Sequence, residues 1–324
     1  MKKSSITIPS KDGNNLLNVI IWETEEKPKG ILQLVHGMAE YIERYNDFAA
    51  YLTRYGYNVI GHDHLGHGKT AKCKEDLGFF ADKNGDEIII EDMYSVTKYA
   101  KERWNDIPNY ILGHSMGSFC VRQYLTEHSY DVYGAIIMGT GWIPAPVANM
   151  GKFLADCECK KHGNRYKSRT LVKISIGNNN KPFEPARTPV DWLSRDFNNV
   201  DKYVADSLCG FDFTAGAYRD FFAILQKIAR NKNLLGIRKH LPILVISGEE
   251  DPVGGKEACK KFVSQCLVNG LGNTILKLLP YDRHEILNEI DKDIVYIYLK
   301  NWLNDRVYEA EAYKEANILN DYEN

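Results

Sequence analysis

The chain has 324 residues, 44% of them hydrophobic and 26% charged, and is long enough to bury a sizeable core without disulfides or a structural metal. Its formal net charge of −2 excludes a global electrostatic attraction to nucleic acid or an anionic membrane. Seven cysteines, an odd number dispersed along the chain, argue against a disulfide framework and for a reducing compartment.

The opening stretch, MKKSSITIPSKDGNN, has two lysines with no apolar run behind them, and no stretch of the chain approaches 18 uninterrupted apolar residues. Neither a signal peptide nor a membrane span is expected, which makes the cytoplasm the expected location. Apolar runs at 16–23 (LLNVIIWE) and 31–36 (ILQLVH) read as strands. Tyr41, Tyr45, Phe48, Ala49 and Leu52 then recur at helical spacing, and NVIGHD (58–63) reads as a strand again. A second helix is marked by Ile89, Met93, Val96, Ala100 and Trp104. YILGH (110–114) is a strand running into Ser-Met-Gly and a further helix, and YGAIIMGT (133–140) is another buried strand. Apolar strands alternating with helices predict an α/β fold, a mostly parallel sheet covered by helices on both faces.

The rhythm breaks at Gly141. Prolines, a Gly-Asn-Asn-Asn run at 177–180 and aromatics without strand periodicity follow, until ILVISGEED (243–251) and NTILKLLPYD (273–282) restore the strands. We therefore expect one core, 1–140 and 239–324, interrupted by an insertion over 141–238. The last helix is expected to carry Ile290, Ile294, Ile297, Tyr298 and Trp302. The tail from Asp305, with six acidic and two basic residues, reads as frayed or as a solvated helix extension.

The strongest local signal is Gly113-His114-Ser115-Met116-Gly117, a G-x-S-x-G between a strand and a helix. Such a turn strains the serine, exposes its Oγ and leaves room only for small residues at 113 and 117. The bland alternative is a glycine-bounded turn with a serine N-cap. A nucleophilic serine needs a base and an orienting acid, and in this architecture the order is Ser, acid, His. His128, His162, His240 and His284 follow Ser115. His128 ends the elbow helix, His162 sits in the insertion and His240 precedes the strand that would deliver the acid. His284, in a loop just after the last strand, is the candidate base. Glu249, Glu250 and Asp251 end the preceding strand. Asp251, short and followed by Pro252, is favoured as the acid, with Glu250 as runner-up. Asp282 is read as a solvated loop carboxylate. The oxyanion needs two backbone donors: Met116 N–H, after the nucleophile, and Met38 N–H in the loop His36-Gly37-Met38-Ala39-Glu40.

LVHGMAEYIERY, GHDHLGHGKT, GHSMGS, SGEEDPVGG and RHEILNE together resemble the monoacylglycerol lipase and lysophospholipase branch of the α/β-hydrolases, over about residues 10–304. SRDFNNVDKYVADSLCGFDFT (194–214) looks like that family's cap segment. The resemblance implies an inserted cap (lid) and a serine ester hydrolase that works through an acyl-enzyme on monoacylglycerol or lysophospholipid-like single-chain lipids. Its catalytic residues fall on Ser115, Asp251 and His284, and its oxyanion donors on Met38 and Met116. Tyr41, where histidine is common, and Ala39, where glycine is common, depart from the pattern near the substrate pocket. The rival readings are a small-acyl or aryl carboxylesterase or peptidase of the same fold, and a hydrolase-fold ligand receptor with slow turnover.

Two clusters invite a metal reading, Cys157, Cys159 and His162, and His62, His64 and His67. The first reads better as a cap turn, the second as a loop supporting the oxyanion loop. No G-x-G-x-x-G follows a strand and no P-loop occurs, so no nucleotide, metal or other cofactor is expected. No obligate protein partner is evident. Residues 151–173 hold seven Lys or Arg against two acidic residues, beside apolar bulk, and predict transient contact between the cap and a lipid surface.

Overall fold

A computed structural model describes residues 1–322, with side chains through residue 312. In chain order its elements are β1 (Lys2–Pro9), β2 (Leu16–Glu23), β3 (Gly30–Val35), α1 (Asn46–Thr53), β4 (Tyr57–His62), α2 (Gly85–Arg103), β5 (Asn109–His114), α3 (Met116–His128) and β6 (Gly134–Met138). Then come α4 (Ala145–His162), α5 (Arg169–Ser175), α6 (Phe197–Ala205), α7 (Ala215–Ile228) and α8 (Asn231–Leu234). The chain closes with β7 (Ile243–Gly248), α9 (Gly255–Val268), β8 (Thr274–Leu279) and α10 (Lys292–Tyr322).

The strands form one sheet in the order β1-β2-β4-β3-β5-β6-β7-β8. β1 and β2, and β2 and β4, pair antiparallel, and every pairing from β4 onward is parallel. The five central strands β3 to β7 are buried at every position, which is why their sequences are apolar runs rather than alternations. Successive side chains feed opposite faces. Ile111, Ile137 and Val245 join the cluster under α2, α3 and α9, while Tyr110, Leu112, Ile136 and Leu244 join the one under α1 and α10. Each such fully buried aliphatic side chain contributes about 1.5–3 kcal/mol.

Between β6 and β7, parallel neighbours in the sheet, the chain runs through α4 to α8 without adding a strand. α4 lies against α7 so closely that a Cβ on Gly151 would sit 2.4 Å from the Phe222 ring. Phe221, Phe222 and Leu225 of α7 continue into the cluster around α3, so this segment shares the core's apolar packing.

Two features differ from the sequence reading. β1 was not expected. It is an edge strand in which Ile6 and Ile8 alternate with exposed residues and pack on Leu17, Val19 and Ile21. On the last helix, Ile294 and Ile297 are exposed, as is Ile290 before it, whereas Val295, Tyr296, Leu299, Trp302 and Leu303 are buried. The apolar positions overfill one helical stripe there, and the stripe that faces the sheet lies one residue further along. The acidic tail extends α10 to Tyr322, and its side chains past residue 312 lie outside the described residues. No helix among the described residues is long and apolar enough to cross a membrane.

Candidate active site

Ser115 stands between β5 and α3 with φ 53° and ψ −122°, a conformation that costs a residue bearing a Cβ and persists only where its surroundings enforce it. The enforcement is visible. Ser115 N–H donates to the Met138 carbonyl at 3.0 Å. A Cβ on Gly113 would lie 2.3 Å from the Gly117 carbonyl oxygen, and one on Gly117 would lie 2.2 Å from that of Val35. Both glycines are required, as the motif predicts. α3 begins at Met116, so the Met116 N–H belongs to a first turn that has no intrahelical acceptor.

Asp251 follows β7 and His284 follows β8, and both are buried. His284 Nδ1–H donates to Asp251 Oδ1 at 2.9 Å. The same oxygen accepts Val253 N–H at 2.8 Å, and Oδ2 accepts the Ser247 hydroxyl at 3.1 Å. Burial alone would raise the Asp251 carboxyl. The His284 ring, the Val253 N–H and the Ser247 hydroxyl outweigh it and hold the group below the usual carboxylate range. His284 Nε2 is buried with no protein partner, and His284 and Ser115 line one cavity. Trp192 and His114 flank the His284 ring at centroid distances of 4.9 and 4.7 Å.

The other candidates fall elsewhere. Glu250 is exposed and gives only its N–H, to the Asp282 carbonyl at 3.0 Å. Glu249 pairs with Lys256 at 3.4 Å. His128 stacks on Tyr94, His162 stacks on Tyr166, and His240 is exposed. Asp282 is not the solvated carboxylate expected of it. It is buried at 1% exposure and paired with Arg195, which reaches over from the insertion.

The loop after β3 carries Gly37, Met38, Ala39 and Glu40. The buried Glu40 carboxylate accepts Gly37 N–H at 2.7 Å, the Tyr45 hydroxyl at 2.9 Å and Arg44 Nη1 at 2.6 Å. The same Arg44 makes a two-pronged contact with Glu285, next to His284, at 2.7 and 2.8 Å. His114 lies 3.2 Å from Glu40 through Nδ1 and 3.2 Å from the His284 carbonyl through Nε2. Burial depresses its imidazole, but the bond to Glu40 and the charges of Glu40 and Glu285 raise it above its ordinary value. Burial raises both Glu40 and Glu285, and Arg44, together with His114 and His36 at Glu40 and Asn199 at Glu285, more than reverses that in each. Sequence reasoning missed this network. Its one local trace is the closeness of Glu40 and Arg44 in sequence, with Glu40 just before the 3-10 turn Ile42–Tyr45 that carries the arginine.

The histidine-rich loop after β4 braces the same turn. Ala39 N–H donates to His67 Nε2 at 3.3 Å, His64 N–H to His36 Nε2 at 3.0 Å, and Ile42 N–H to Asp63 Oδ1 at 2.8 Å. Burial holds His62 and His67 down to about 3. Ala39 has φ 53°, the left-handed region that glycine occupies without strain, and its carbonyl accepts Tyr203 Oη–H and Gly210 N–H, each at 3.0 Å. Cys157, Cys159 and His162 lie at the end of helix α4, not in a turn. Two residues along a helix rotate a side chain by about 200°, so the two thiols diverge. Among the described residues, the side chains that converge closely enough to share an ion are Glu91, Glu127 and His128, and Asp282, Glu289 and Asp291.

The cavity shared by Ser115 and His284 has a volume of about 580 Å³, with Met38 and Met116 beside the serine. Phe119, Ile143, Val147, Val172, Phe221 and Leu225 supply much of its apolar wall, most of them from the insertion. A second cavity of similar volume, lined by Tyr41, Arg44, Asp196, Lys202 and Lys292, is polar and holds none of the candidate residues.

Residues 26–291 match the family described as serine aminopeptidase, S33. The chain is 25% identical to the monoacylglycerol lipase of Mycolicibacterium smegmatis over 289 residues, covering 87% of this chain and 91% of the relative. It is 23% identical to the monoglyceride lipase of Rattus norvegicus over 301 residues, covering 90% and 88%. Among solved structures, a highly thermostable carboxyl esterase from Bacillus coagulans in complex with glycerol matches with a TM-score of 0.88 at 27% identity, over 95% of this chain and 99% of that one. The chain belongs to the serine aminopeptidase S33 family, on the monoacylglycerol lipase branch of the α/β-hydrolases, and is a carboxylic ester hydrolase.

Proposed function

We propose that this hydrolase cleaves the ester of single-chain lipids, monoacylglycerols or lysophospholipid-like molecules, with Ser115 as nucleophile, His284 as general base and Asp251 as the orienting acid. The observation that carries the reading is one juxtaposition. A strained serine and the unpartnered Nε2 of an Asp-bound histidine belong to the same largely apolar cavity. Its volume of about 580 Å³ lies in the usual range for small-ligand sites. His284 Nε2 takes the Ser115 proton as Oγ attacks the ester carbonyl, and Asp251 stabilises the imidazolium that forms. The negative charge on the carbonyl oxygen is met by the N–H groups of Met38 and Met116. His284 returns the proton to the leaving alcohol, and water then frees the acid by the same steps in reverse.

Residues 141–238 act in this reading as the cap over the site, and 1–140 with 239–324 as the catalytic core. A single apolar acyl chain suits the aromatic and aliphatic wall that the cap supplies. An amine substrate of the aminopeptidase kind needs an unneutralised carboxylate beside the reacting groups; of the three carboxylates that line the cavity, Glu285 and Glu40 are both bound to Arg44, and Asp212 is exposed to solvent. The cap also presents exposed Val147, Met150 and Phe153 on α4 and Ile174 on α5, and Lys160, Lys161, Lys167 and Arg169 are exposed in the same stretch of chain. Exposed apolar and basic groups in one segment suit transient contact with an anionic lipid surface. Arg165 is not counted with them, because it pairs with Asp76 at 3.0 Å and lies over the Phe79 ring.

The test is a panel of p-nitrophenyl esters and monoglycerides of graded chain length, run with wild type and Ser115→Ala, alongside fluorophosphonate labelling. We expect turnover to rise from short to medium and long acyl chains, and Ser115→Ala to abolish both turnover and labelling. A preference for acetyl or aryl esters moves the substrate to the small-ester class. Labelling that survives in Ser115→Ala places the nucleophile elsewhere, and negligible turnover throughout favours a receptor.

A further inference from the structure

The loop that carries His284 runs from the end of β8 to the start of α10, and one short turn of 3-10 helix at Ile286–Asn288 is its regular structure. Its conformation is imposed from outside. On the core side, Arg44 grips Glu285, one residue after His284. On the other side lies the insertion. Glu285 N–H donates to the Leu193 carbonyl at 2.7 Å, and the Ser194 hydroxyl donates to the Asn288 carbonyl at 3.0 Å. Arg195 N–H and Nε–H donate to the two oxygens of Glu289, each at 3.1 Å. Arg195 Nη2 donates to Asp291 at 2.8 Å and also to Asp282, two residues before His284.

We propose that Arg195 is a positioning residue for the reaction: it reaches from the insertion to fix Asp282 and Glu289 on the loop that holds His284, so that the base hangs between two guanidinium anchors, Arg44 from the core and Arg195 from the insertion. The inference rests on the reading of His284 as general base.

The charge arrangement explains why an arginine is needed. Three carboxylates of one loop converge on a single cation, and the Asp282 and Glu289 side chains are almost entirely buried, at 2% and 0% exposure. A planar guanidinium offers five donors in a fixed fork, enough to serve all three acids and hold them in one geometry. Burial, with the charges of Asp291 and Glu289, pushes the Asp282 carboxyl up to about 7 despite Arg195, so the trio is crowded even with its cation in place. The remaining groups around it supply little compensation. Arg283 gives its N–H to Glu289 at 2.9 Å, but its guanidinium turns to the Asp191 and Ser194 carbonyls of the insertion. From the loop after β7, the Glu250 backbone N–H reaches only the Asp282 carbonyl. Without Arg195 the three acids repel one another across the segment that sets the His284 ring. A shift of about 1 Å at a reacting group costs up to about 100-fold in rate.

The test compares Arg195→Met, Arg195→Lys and the double variant Arg195→Met/Asp282→Asn in the full chain, on a short soluble p-nitrophenyl ester that barely engages the acyl pocket. We expect Arg195→Met to lower kcat by about 10- to 100-fold with KM changed less than about threefold, and to slow fluorophosphonate labelling of Ser115 in parallel. Arg195→Lys should recover part of the loss, and the double variant should recover several-fold over Arg195→Met because one of the repelling charges is gone. The kcat deficit of Arg195→Met relative to wild type, normalised to the folded protein present at each pH, should shrink from pH 8 to pH 6 as the trio takes up protons. A folded Arg195→Met with wild-type kcat, a loss confined to KM, or a double variant no better than the single one overturns the proposal. If Arg195→Met does not fold, Arg195→Lys decides: kcat equal to wild type at both pH values overturns it, and a kcat deficit that narrows at pH 6 supports it. Ser115→Ala separates the two readings, since activity retained there sinks the catalytic assignment itself, whatever Arg195 does.

Discussion

Two parts of the inserted segment are held in opposite ways. Residues 191–206 touch the core through Trp192, which packs beside His284, and through a dense set of polar and charged groups: Leu193, Ser194, Arg195 and Asn199 on the His284 loop, Tyr203 on Ala39, and Asp206 on Tyr41 at 2.7 Å. α4 and α5 instead attach by apolar contact, Ala148, Ala155 and Leu171 being buried against the α3–α7 cluster while Val147, Met150, Phe153 and Ile174 remain exposed. Hydrogen-bonded contacts to buried partners are directional and fix geometry, whereas apolar contacts are non-directional and tolerate sliding. The first part is therefore suited to keeping catalytic groups in register, and the second to meeting substrates of varied shape. Changes in the first should alter turnover of any ester, and changes at the exposed basic residues of the second should matter only when the ester is presented in a lipid.

The sharpest way to break this division is at the polar contact. Arg44→Met removes the cation shared by Glu40 and Glu285 and leaves two buried carboxylates unpaired. Breaking a buried ion pair from one side costs about 3–5 kcal/mol. We expect a large fall in melting temperature and, in whatever folds, a loss of kcat on short and long esters alike, because Glu40 holds Gly37 in the loop proposed to supply an oxyanion donor and Glu285 adjoins His284. Arg44→Met with normal stability and activity would mean that the network is ornamental.

The other half of the comparison predicts a smaller and more selective effect. Reversing charge at Lys160, Lys161 and Lys167, all exposed, should reduce turnover of monoglyceride carried in anionic vesicles severalfold and leave a soluble short ester untouched. The vesicle activity of wild type should also fall as salt rises, because attraction between exposed charges is screened over about 8–10 Å at physiological ionic strength. Equal losses on both substrates, or no response to salt, would remove the surface-contact role from α4 and α5.

The same division separates what could be read in the sequence from what could not. The core was legible because a parallel sheet buried on both faces writes itself as apolar runs, and because Gly113 and Gly117 admit no side chain beside the Ser115 turn. The order of strands then delivers Asp251 and His284 to neighbouring strand ends, β7 and β8 being paired. β1 was missed because an edge strand needs only one buried face, leaving Ile6 and Ile8 as faint markers. Ile294 and Ile297 misled because a helix with apolar residues all round its surface does not reveal which stripe meets the sheet. The contacts of the insertion were invisible for a different reason: Arg195 and Asp282 stand 87 positions apart, and nothing local to either tells an ion pair from a solvated charge. Glu40 and Arg44 are close in sequence, but their partner Glu285 is 241 positions beyond Arg44.

Asp282 gives the smallest and most discriminating effect. Its folded-state value, pushed up to about 7 from an ordinary 3.8 by burial and by Asp291 and Glu289, means that between pH 4 and pH 7 the native protein holds a proton that the unfolded chain has released. Stability must therefore decline as pH rises across that window and level off above it. The contribution is complete below the unfolded value and is lost once pH passes the folded one. Asn at this position cannot titrate. The difference in unfolding free energy between Asp282→Asn and wild type, measured by denaturant titration, should thus move in favour of the variant from pH 5 to pH 8, by about 1 kcal/mol once sharing of the proton among three coupled carboxylates and the counter-charge of Arg195 are allowed for. A difference that stays constant with pH would mean that Arg195 keeps Asp282 ionised throughout. The clamp between the insertion and the His284 loop would then be a plain ion pair, no tighter at pH 5 than at pH 8.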